Sequence, residues 1–310
     1  MPGELEVTRS DIEAAAVRID GFVRVTPILE LGDVLGGGFN LGAKLDYTQP
    51  TGSFKVRGAF SLLRSREPAQ GVAAASGGNF GMAIAYACSK LGYAATIFVP
   101  ETSPPQKIDR IGQYGADVRK VAGYYDDALA ECEAFVADSG AFMAHAYDQP
   151  EVVAGQGTAA REIVSQDPTA DTILVAVGGG GLIAGIASWC RDDTKVVAVE
   201  PFLCPSFSAA KTAGQPVPAE VGGVASSSLG ASTIGSHCWA ARSWIDDSVL
   251  VGEDDILEAQ AWLWAAAKLA VEPSAATTIA ALRSGAYRPA TGEHVVVMLS
   301  GANFDPGSLS

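Results

Sequence analysis

Residues 172–190, TILVAVGGGGLIAGIASWC, constrain the fold more than any other part of the chain. A near-continuous apolar run meets a helix-forming stretch that is apolar almost all round, and only four glycines separate them. A strand that is hydrophobic on both faces must be covered on both, as in a parallel sheet with helices above and below. The pairing recurs: GVAAAS (71–76) with FGMAIAYACSKLG (80–92), ATIFVP (95–100) with PQKIDRIGQYG (105–115), and ADVRKVA (116–122) with YYDDALAECEAFVADSG (124–140). Farther on come a helix over VVAGQGTAAREIVSQ, the run KVVAVE (195–200), a long helix over 253–270 and the closing run HVVVML (294–299). The expected class is α/β, with parallel-type sheets and helices on both faces.

A chain of 310 residues is long enough for two lobes. Residues 71–147 form a βαβαβα block flanked by Glu67-Pro68 and Asp148-Gln149-Pro150. A small lobe, 71–147, is therefore expected inside a large one made of 1–70 and 148–310. Ser10 with Glu13 three residues on fits a capping box opening the first helix, which ends near Gly21. The Gly-, Pro- and Ser-rich stretch 214–233 reads as loop near the surface or the mouth of a site.

Several function classes drop out on composition. With 35 acidic residues against 21 basic ones and no basic cluster, the chain lacks the stripe that displaces counterions from phosphates, so no nucleic-acid partner is expected. The N-terminus carries charges where a signal peptide needs an apolar core, and no run approaches about 18 uninterrupted apolar residues. Five scattered cysteines with no C-x-x-C pair suggest neither a disulfide framework nor a zinc knuckle. A cytoplasmic protein with no membrane association is the expectation.

Four glycines, Gly178 to Gly181, at a strand-to-helix junction leave amides free to converge on a phosphate at the positive end of a helix. A tight turn alone needs only one or two. The same residues fit a dinucleotide fingerprint, Gly179-x-Gly181-x-x-Ala184, with Glu200 where a ribose-binding acid would stand, so an NAD-binding oxidoreductase is an alternative. Lys55, in PTGSFKVRGA, sits in the first turn of a helix among apolar neighbours. Such a site disfavours the ammonium and leaves an amine able to attack a carbonyl, although an isolated lysine near a helix start is usually only solvated surface. Two further strand-end turns, Ser76-Gly77-Gly78-Asn79-Phe80 and Ser300-Gly301-Ala302-Asn303, complete a cleft at the carboxyl ends of the strands. The amides of the first could hold a substrate carboxylate, and the Asn79 amide a cofactor oxygen.

PTGSFKVRGA, SGGNFG, VAGQGT, VGGGGLIAGIA, VAVEP, VEPSAA and LSGAN, in this order, resemble the fold-type II pyridoxal phosphate (PLP) enzymes, in the threonine/serine dehydratase and serine racemase branch. The likeness runs from about Thr26-Pro27 to Asn303. It implies a tryptophan synthase β-like fold and covalent attachment of PLP to Lys55. It implies further that Phe54 lies near the ring, Asn79 bonds the 3′-oxygen, Gly178, Gly179, Gly180, Gly181 and the Leu182 amide take the phosphate, and Ser300 faces the ring nitrogen. Ser76, Gly77, Gly78, Asn79 and Phe80 would bind the substrate. A neutral hydroxyl at Ser300 makes the ring a poorer electron sink, which favours direct loss of a β-leaving group. The expected activity is that of a PLP-dependent ammonia-lyase, eliminating water from a small β-hydroxy amino acid such as serine or threonine; β-replacement or racemisation is the alternative. A homodimer is the expected assembly.

The departures from that family matter too. Most dehydratases carry His where Phe80 stands, so the substrate side of the pocket is less polar. Members with a divalent-ion site pair the acid of V-x-x-E-P with an Asp six residues later; Glu200 is present but position 206 is Ser, and no metal is expected. The chain stops soon after Asn303, so no C-terminal regulatory domain is expected. Serine racemases return a far-side proton from a serine two residues before the loop Asn; the matching residue here is Gly77, and elimination is expected over racemisation. His145, His237 and His294 show no ligand spacing. Glu272 reads as a helix-dipole partner, although the family places an acid near the cofactor at this point, and it is left outside the expected site. Trp239, Trp244, Trp262 and Trp264 read as core or subunit interface.

Overall fold

The computed structural model describes residues 6–305 and 307. Among the described residues ten strands form two sheets: β1 (Ile28–Gly32), β2 (Asn40–Lys44), β3 (Val72–Ala75), β4 (Ala95–Pro100), β5 (Asp117–Val121), β6 (Phe142–Met143), β7 (Thr172–Ala176), β8 (Lys195–Pro201), β9 (Asp247–Val251) and β10 (His294–Met298). The helices that matter below are α1 (Arg9–Ile19), α2 (Lys55–Arg66), α3 (Asn79–Leu91), α4 (Pro105–Gln113), α5 (Tyr125–Ser139), α6 (Pro150–Gln166), α7 (Gly181–Cys190), α8 (Ser206–Ala213), α9 (Ser226–Leu229), α10 (Ser236–Ala241), α11 (Glu253–Trp262) and α12 (Pro273–Ser284). The larger sheet runs β1-β2-β10-β7-β8-β9, parallel except for β1 at the edge; the smaller runs β5-β4-β3-β6 and is wholly parallel. This is the expected α/β architecture with parallel-rich sheets.

Alternate residues of each central strand feed different cores, which is why these strands read as unbroken apolar runs. Ile173, Val175, Val196, Ala198, Val296 and Met298 pack with α1, α6 and α7 on one face. Leu174, Val197, Val199, Val295 and Val297 pack with α11 and α12 on the other. In the smaller sheet Val72, Ala74, Ile97 and Val99 face α2, α3 and α4, while Ala73, Ala75 and Phe98 face α5. Each fully buried Val or Ile side chain stabilises the fold by about 1.5–3 kcal/mol, so two-sided burial roughly doubles what a strand of given length contributes.

Between the sheets, α2 packs against α3 and α6. It is held by charges that have left water. The Arg57 guanidinium, fully buried, donates to Asp46 at 2.6–3.2 Å and to both Glu162 oxygens at 2.6 and 2.9 Å. Lys44 Nζ adds a bond to Glu162 at 2.7 Å and another to the Thr26 carbonyl at 2.6 Å. Burial alone would raise the Asp46 carboxyl, but the guanidinium outweighs it and holds the group below the ordinary carboxylate value.

Three local expectations need correction. The cap of α1 is Thr8 with Asp11, not Ser10 with Glu13. The stretch T-R-S-D-I-E fits the capping pattern twice, and Arg9 decides between them by donating to the Trp189 and Cys190 carbonyls at 2.6 and 3.0 Å, which fixes it as the first helical residue. The long helix over 253–270 ends at Trp262, passes through a π-helical turn over Leu263–Ala267 and closes on Lys268 at φ +57°. Buried Gln260 draws the Val271 carbonyl back to 2.7 Å, and the chain turns to deliver Glu272 elsewhere. The expected strands do not include β1, β2, β6 and β9, which are edge strands, short, or interrupted by glycine. Of the tryptophans, Trp239, Trp244 and Trp262 pack against the cores, while Trp264 is 43% exposed. The outer bounds of the expected large lobe, 1 and 310, lie outside the described residues.

Candidate active site

The expected residues converge where the strands end. β10 leads into Ser300, whose carbonyl accepts from the Phe54 amide at 3.0 Å, and Ser53 bridges Gly301. β3 leads into Ser76–Phe80, and Asn79 closes the group: its Oδ1 accepts from Asn303 Nδ2 at 2.9 Å, and its Nδ2 donates to Glu272 Oε1 at 2.8 Å. Phe54, Lys55, Asn79, Phe80 and Ser300 therefore form one cluster.

Lys55 lies at the first position of α2, with Nζ 5.1 Å from the Phe54 ring centre and 5.8 Å from that of Phe80. It donates to the Ala146 carbonyl at 2.9 Å. The side chain keeps partial access to the cleft, while protein surrounds the ammonium. Burial lowers its pKa from 10.5 to about 8, and the charge of Glu272 opposes that shift. A base of this strength has a substantial neutral fraction near neutral pH.

The glycine loop joins the cluster through residues 145–148. An added Cβ at Gly179 would stand 2.4 Å from the Tyr147 ring, and one at Gly180, where φ is +85°, would stand 2.3 Å from Cys238 Sγ. These glycines are thus required first by protein packed behind the loop. The amides of residues 178–183 donate to no backbone or side-chain acceptor among the described residues, and α7 has no side-chain cap. The amides of Gly77, Asn79, Phe80 and Gly81 are likewise free, with α3 also uncapped by a side chain. Two helix starts thus present unpaired donors, each suited to an anion.

The segment 214–233 borders both turns, holding only the short α9. A Cβ at Gly78 would lie 3.4 Å from the Ser227 carbonyl oxygen, and one at Gly178 2.9 Å from Leu229 Cα. A Cβ at Gly77 would fall 1.9 Å from Ser103 Oγ, so a hydroxyl from the β4–α4 loop fills the space a side chain there would take.

Some residues of the cleft escaped the sequence reading. Glu272 is 3% exposed and bonded to Asn79 and Ser274; it belongs with the cluster and is not merely a helix-dipole partner. Its position before Pro273, at the start of α12, was the available signal. His145 Nδ1 accepts from the Asp148 amide at 3.0 Å, and Asp148 in turn accepts from Ser236 Oγ and the His237 amide. Burial pushes the His145 pKa down, Asp148 opposes this, and nearby Lys55 adds to it. Nothing in the spacing of the histidines marked this segment. Glu200 is no ribose ligand: its oxygens accept from the Phe207 and Ser208 amides at 2.7 and 2.9 Å, capping α8. Burial still pushes its carboxyl up to about 7 against those amides.

The donor set fits a phosphorylated aldehyde. A desolvated amine stands beside unpaired amides at the glycine loop, and Ser53 Oγ and Glu272 Oε2 are buried with no hydrogen-bond partner among the described residues. Comparison with known proteins agrees. Residues 19–301 match the family described as "Pyridoxal-phosphate dependent enzyme". The chain is 34% identical to serine racemase of Bos taurus over 98% of its length and 95% of that protein. It is 37% identical to the L-threonine ammonia-lyase of Geobacter sulfurreducens over 86% of this chain and 68% of that one. Maize serine racemase superposes with a TM-score of 0.93 at 27% identity, covering 98% of this chain and 95% of the other. The chain belongs to the pyridoxal-phosphate-dependent enzymes of fold type II.

Proposed function

We propose that the cleft eliminates water from a small β-hydroxy amino acid such as serine or threonine, giving a 2-oxo acid and ammonia. The observation that carries the reading is the Lys55 amine, desolvated between two phenyl rings and held at about 8. PLP held by these residues would supply a carbonyl for the substrate amine and a conjugated ring able to take up electron density from the α-carbon. Lys55 Nζ takes the α-proton. The β C–O bond then breaks, the departing oxygen taking up the proton that Lys55 removed so that it leaves as water, and the enamine product takes up water to give the 2-oxo acid and ammonia.

The remaining residues orient and exclude. Amides of residues 178–183 would hold the phosphate, and those of Gly77, Asn79, Phe80 and Gly81 the substrate carboxylate, fixing which bond faces Lys55. Glu272 and Asn303 clamp Asn79 from two sides, so its amide meets the cofactor in one orientation. Ser300 would offer the ring nitrogen only a neutral hydroxyl, which would favour loss of the β-group over long-lived charge at the α-carbon. Phe80 keeps water off the Lys55 face.

Racemisation stands as a second reading because of Ser103, whose hydroxyl occupies the space beside Gly77. A far-side donor from the β4–α4 loop would take the part that Gly77 cannot play. Chiral analysis of residual serine and threonine during turnover, alongside 2-oxo acid release, separates the two. Elimination predicts 2-oxo acid with unchanged configuration of the residual substrate; inversion at a comparable rate, abolished in Ser103→Ala, refutes elimination as the main activity. Lys55→Ala should end either reaction while leaving the fold intact.

A further inference from the structure

We propose that Glu30, Asp167 and His294 bind a divalent transition-metal ion of the zinc class, at the end of the large sheet opposite the cleft. His294 opens β10, and Ser300 follows its other end; the six residue steps between them, in extended chain, separate the two sites by about 20 Å. Glu30 lies on the edge strand β1, and Asp167 caps the C-terminus of α6. Their ligand atoms lie within 4.8 Å of one another.

The hydrogen bonds fix where the electron pairs point. Thr169 Oγ1 donates its single proton to Asp167 Oδ1 at 2.7 Å, so towards His294 Nδ1, at 3.1 Å, it can only accept. Nδ1 therefore carries the imidazole proton, and in the neutral ring Nε2 presents a lone pair. That lone pair faces Asp167 Oδ2 at 3.2 Å and Glu30 Oε2 at 3.6 Å. Asp167 is 9% exposed, and both its Oδ2 and His294 Nε2 are buried with no hydrogen bond among the described residues. The close approach at 3.2 Å lacks the alignment that a proton on Nε2 would need to serve it.

Three acceptors converging, two of them anionic, call for a cation. Metal–nitrogen and metal–oxygen bonds of zinc length, at tetrahedral angles, separate the ligand atoms by about 3.4 Å, and the two observed distances bracket that value. One imidazole with two carboxylates suits zinc and its neighbours better than calcium or magnesium, and the exposed side of Glu30 leaves a position for water. Thr169 acts as the outer partner that sets the tautomer, as metal-bound histidines require. The ion would tie edge strand β1 to the start of β10 and the end of α6.

The test uses the PLP-loaded protein, stripped with a chelator and titrated with Co2+ and Zn2+. We expect one ion per chain, with the visible bands of four- or five-coordinate cobalt, and a thermal midpoint that chelation lowers and Zn2+ restores. Thr169→Val should weaken binding roughly 10- to 100-fold. His294→Ala should abolish it while cofactor absorbance is retained. Glu30→Gln, on an exposed edge where folding is not at risk, should weaken it by about tenfold or more. Absence of saturable binding in the wild-type chain overturns the proposal, as does equal binding by wild type and Glu30→Gln.

Discussion

The ionisation of Lys55 can be measured apart from turnover. In ordinary solvation a lysine of pKa 10.5 is only about 0.1% neutral at pH 7.5; at a pKa of 8 it is about 24% neutral, some 240-fold more nucleophile. Burial among Phe54, Phe80 and the 145–148 segment is the cause, and the Glu272 carboxylate limits it. Cofactor-free protein mixed with a lysine peptide is pulsed with acetic anhydride across pH 6–11, and acetylation of the Lys55 and reference peptides is compared by mass spectrometry. The ratio cancels the reagent's own pH dependence, and restricted access changes the plateau but not the midpoint. A midpoint near 8 is expected for Lys55, moving lower in Glu272→Gln because a charge that favours the ammonium has gone. A midpoint near 10.5 refutes the burial argument, and an upward shift in Glu272→Gln refutes the role given to that carboxylate. Between about 8 and 10.5 the folded chain binds fewer protons at this site than the unfolded chain. Raising pH through that window therefore adds stability from Lys55.

Gly180→Ala forces a side chain into left-handed backbone, about 1–2 kcal/mol, and against Cys238 Sγ, about 1–3 kcal/mol more; urea unfolding should show both as a lower midpoint, and an unchanged one refutes the packing. Asp46→Asn leaves Arg57 short of a buried partner and should cost roughly 3–5 kcal/mol. In the parent chain, the stability that Asp46 supplies is whole above its ordinary value of 3.8 and falls away as pH drops through the lower folded value, so acid unfolding of Asp46→Asn should flatten in that range. All five cysteines are free and buried, with Cys88 and Cys190 pushed up to about 12 by burial, so a thiol reagent at pH 8 should titrate none in the native protein and five after denaturation. Rapid native labelling of any one shows that its surroundings open.

The central strands were legible because two-sided burial leaves no polar position to confuse the pattern; the turn after β7 was legible because its four glycines exceed what chain reversal needs, and those after β3 and β10 because each follows an apolar run with small and amide side chains, Ser76-Gly77-Gly78-Asn79 and Ser300-Gly301-Ala302-Asn303. Glu272 was not, because an acid before a helix is common, and its contact with Asn79 joins residues 193 apart. His145 and Asp148 act through backbone amides, which carry no side-chain signature. The capping pattern at the N-terminus fitted two registers, and only a contact with α7 separated them. Ser103 was invisible for a related reason: the space it fills is defined by the side chain that Gly77 lacks.

Successive residues of a helix point about 100° apart, so Lys55 and Arg57 leave α2 in nearly opposite directions, one into the cleft and one into the ion cluster. The ion cluster that anchors the helix runs through Arg57, while the lysine side chain adds a single bond, to the Ala146 carbonyl. The first turn of α2 therefore separates attachment from chemistry. Position 55 can be changed, to an unreactive side chain or to a different nucleophile, on a mount that stays bolted from behind.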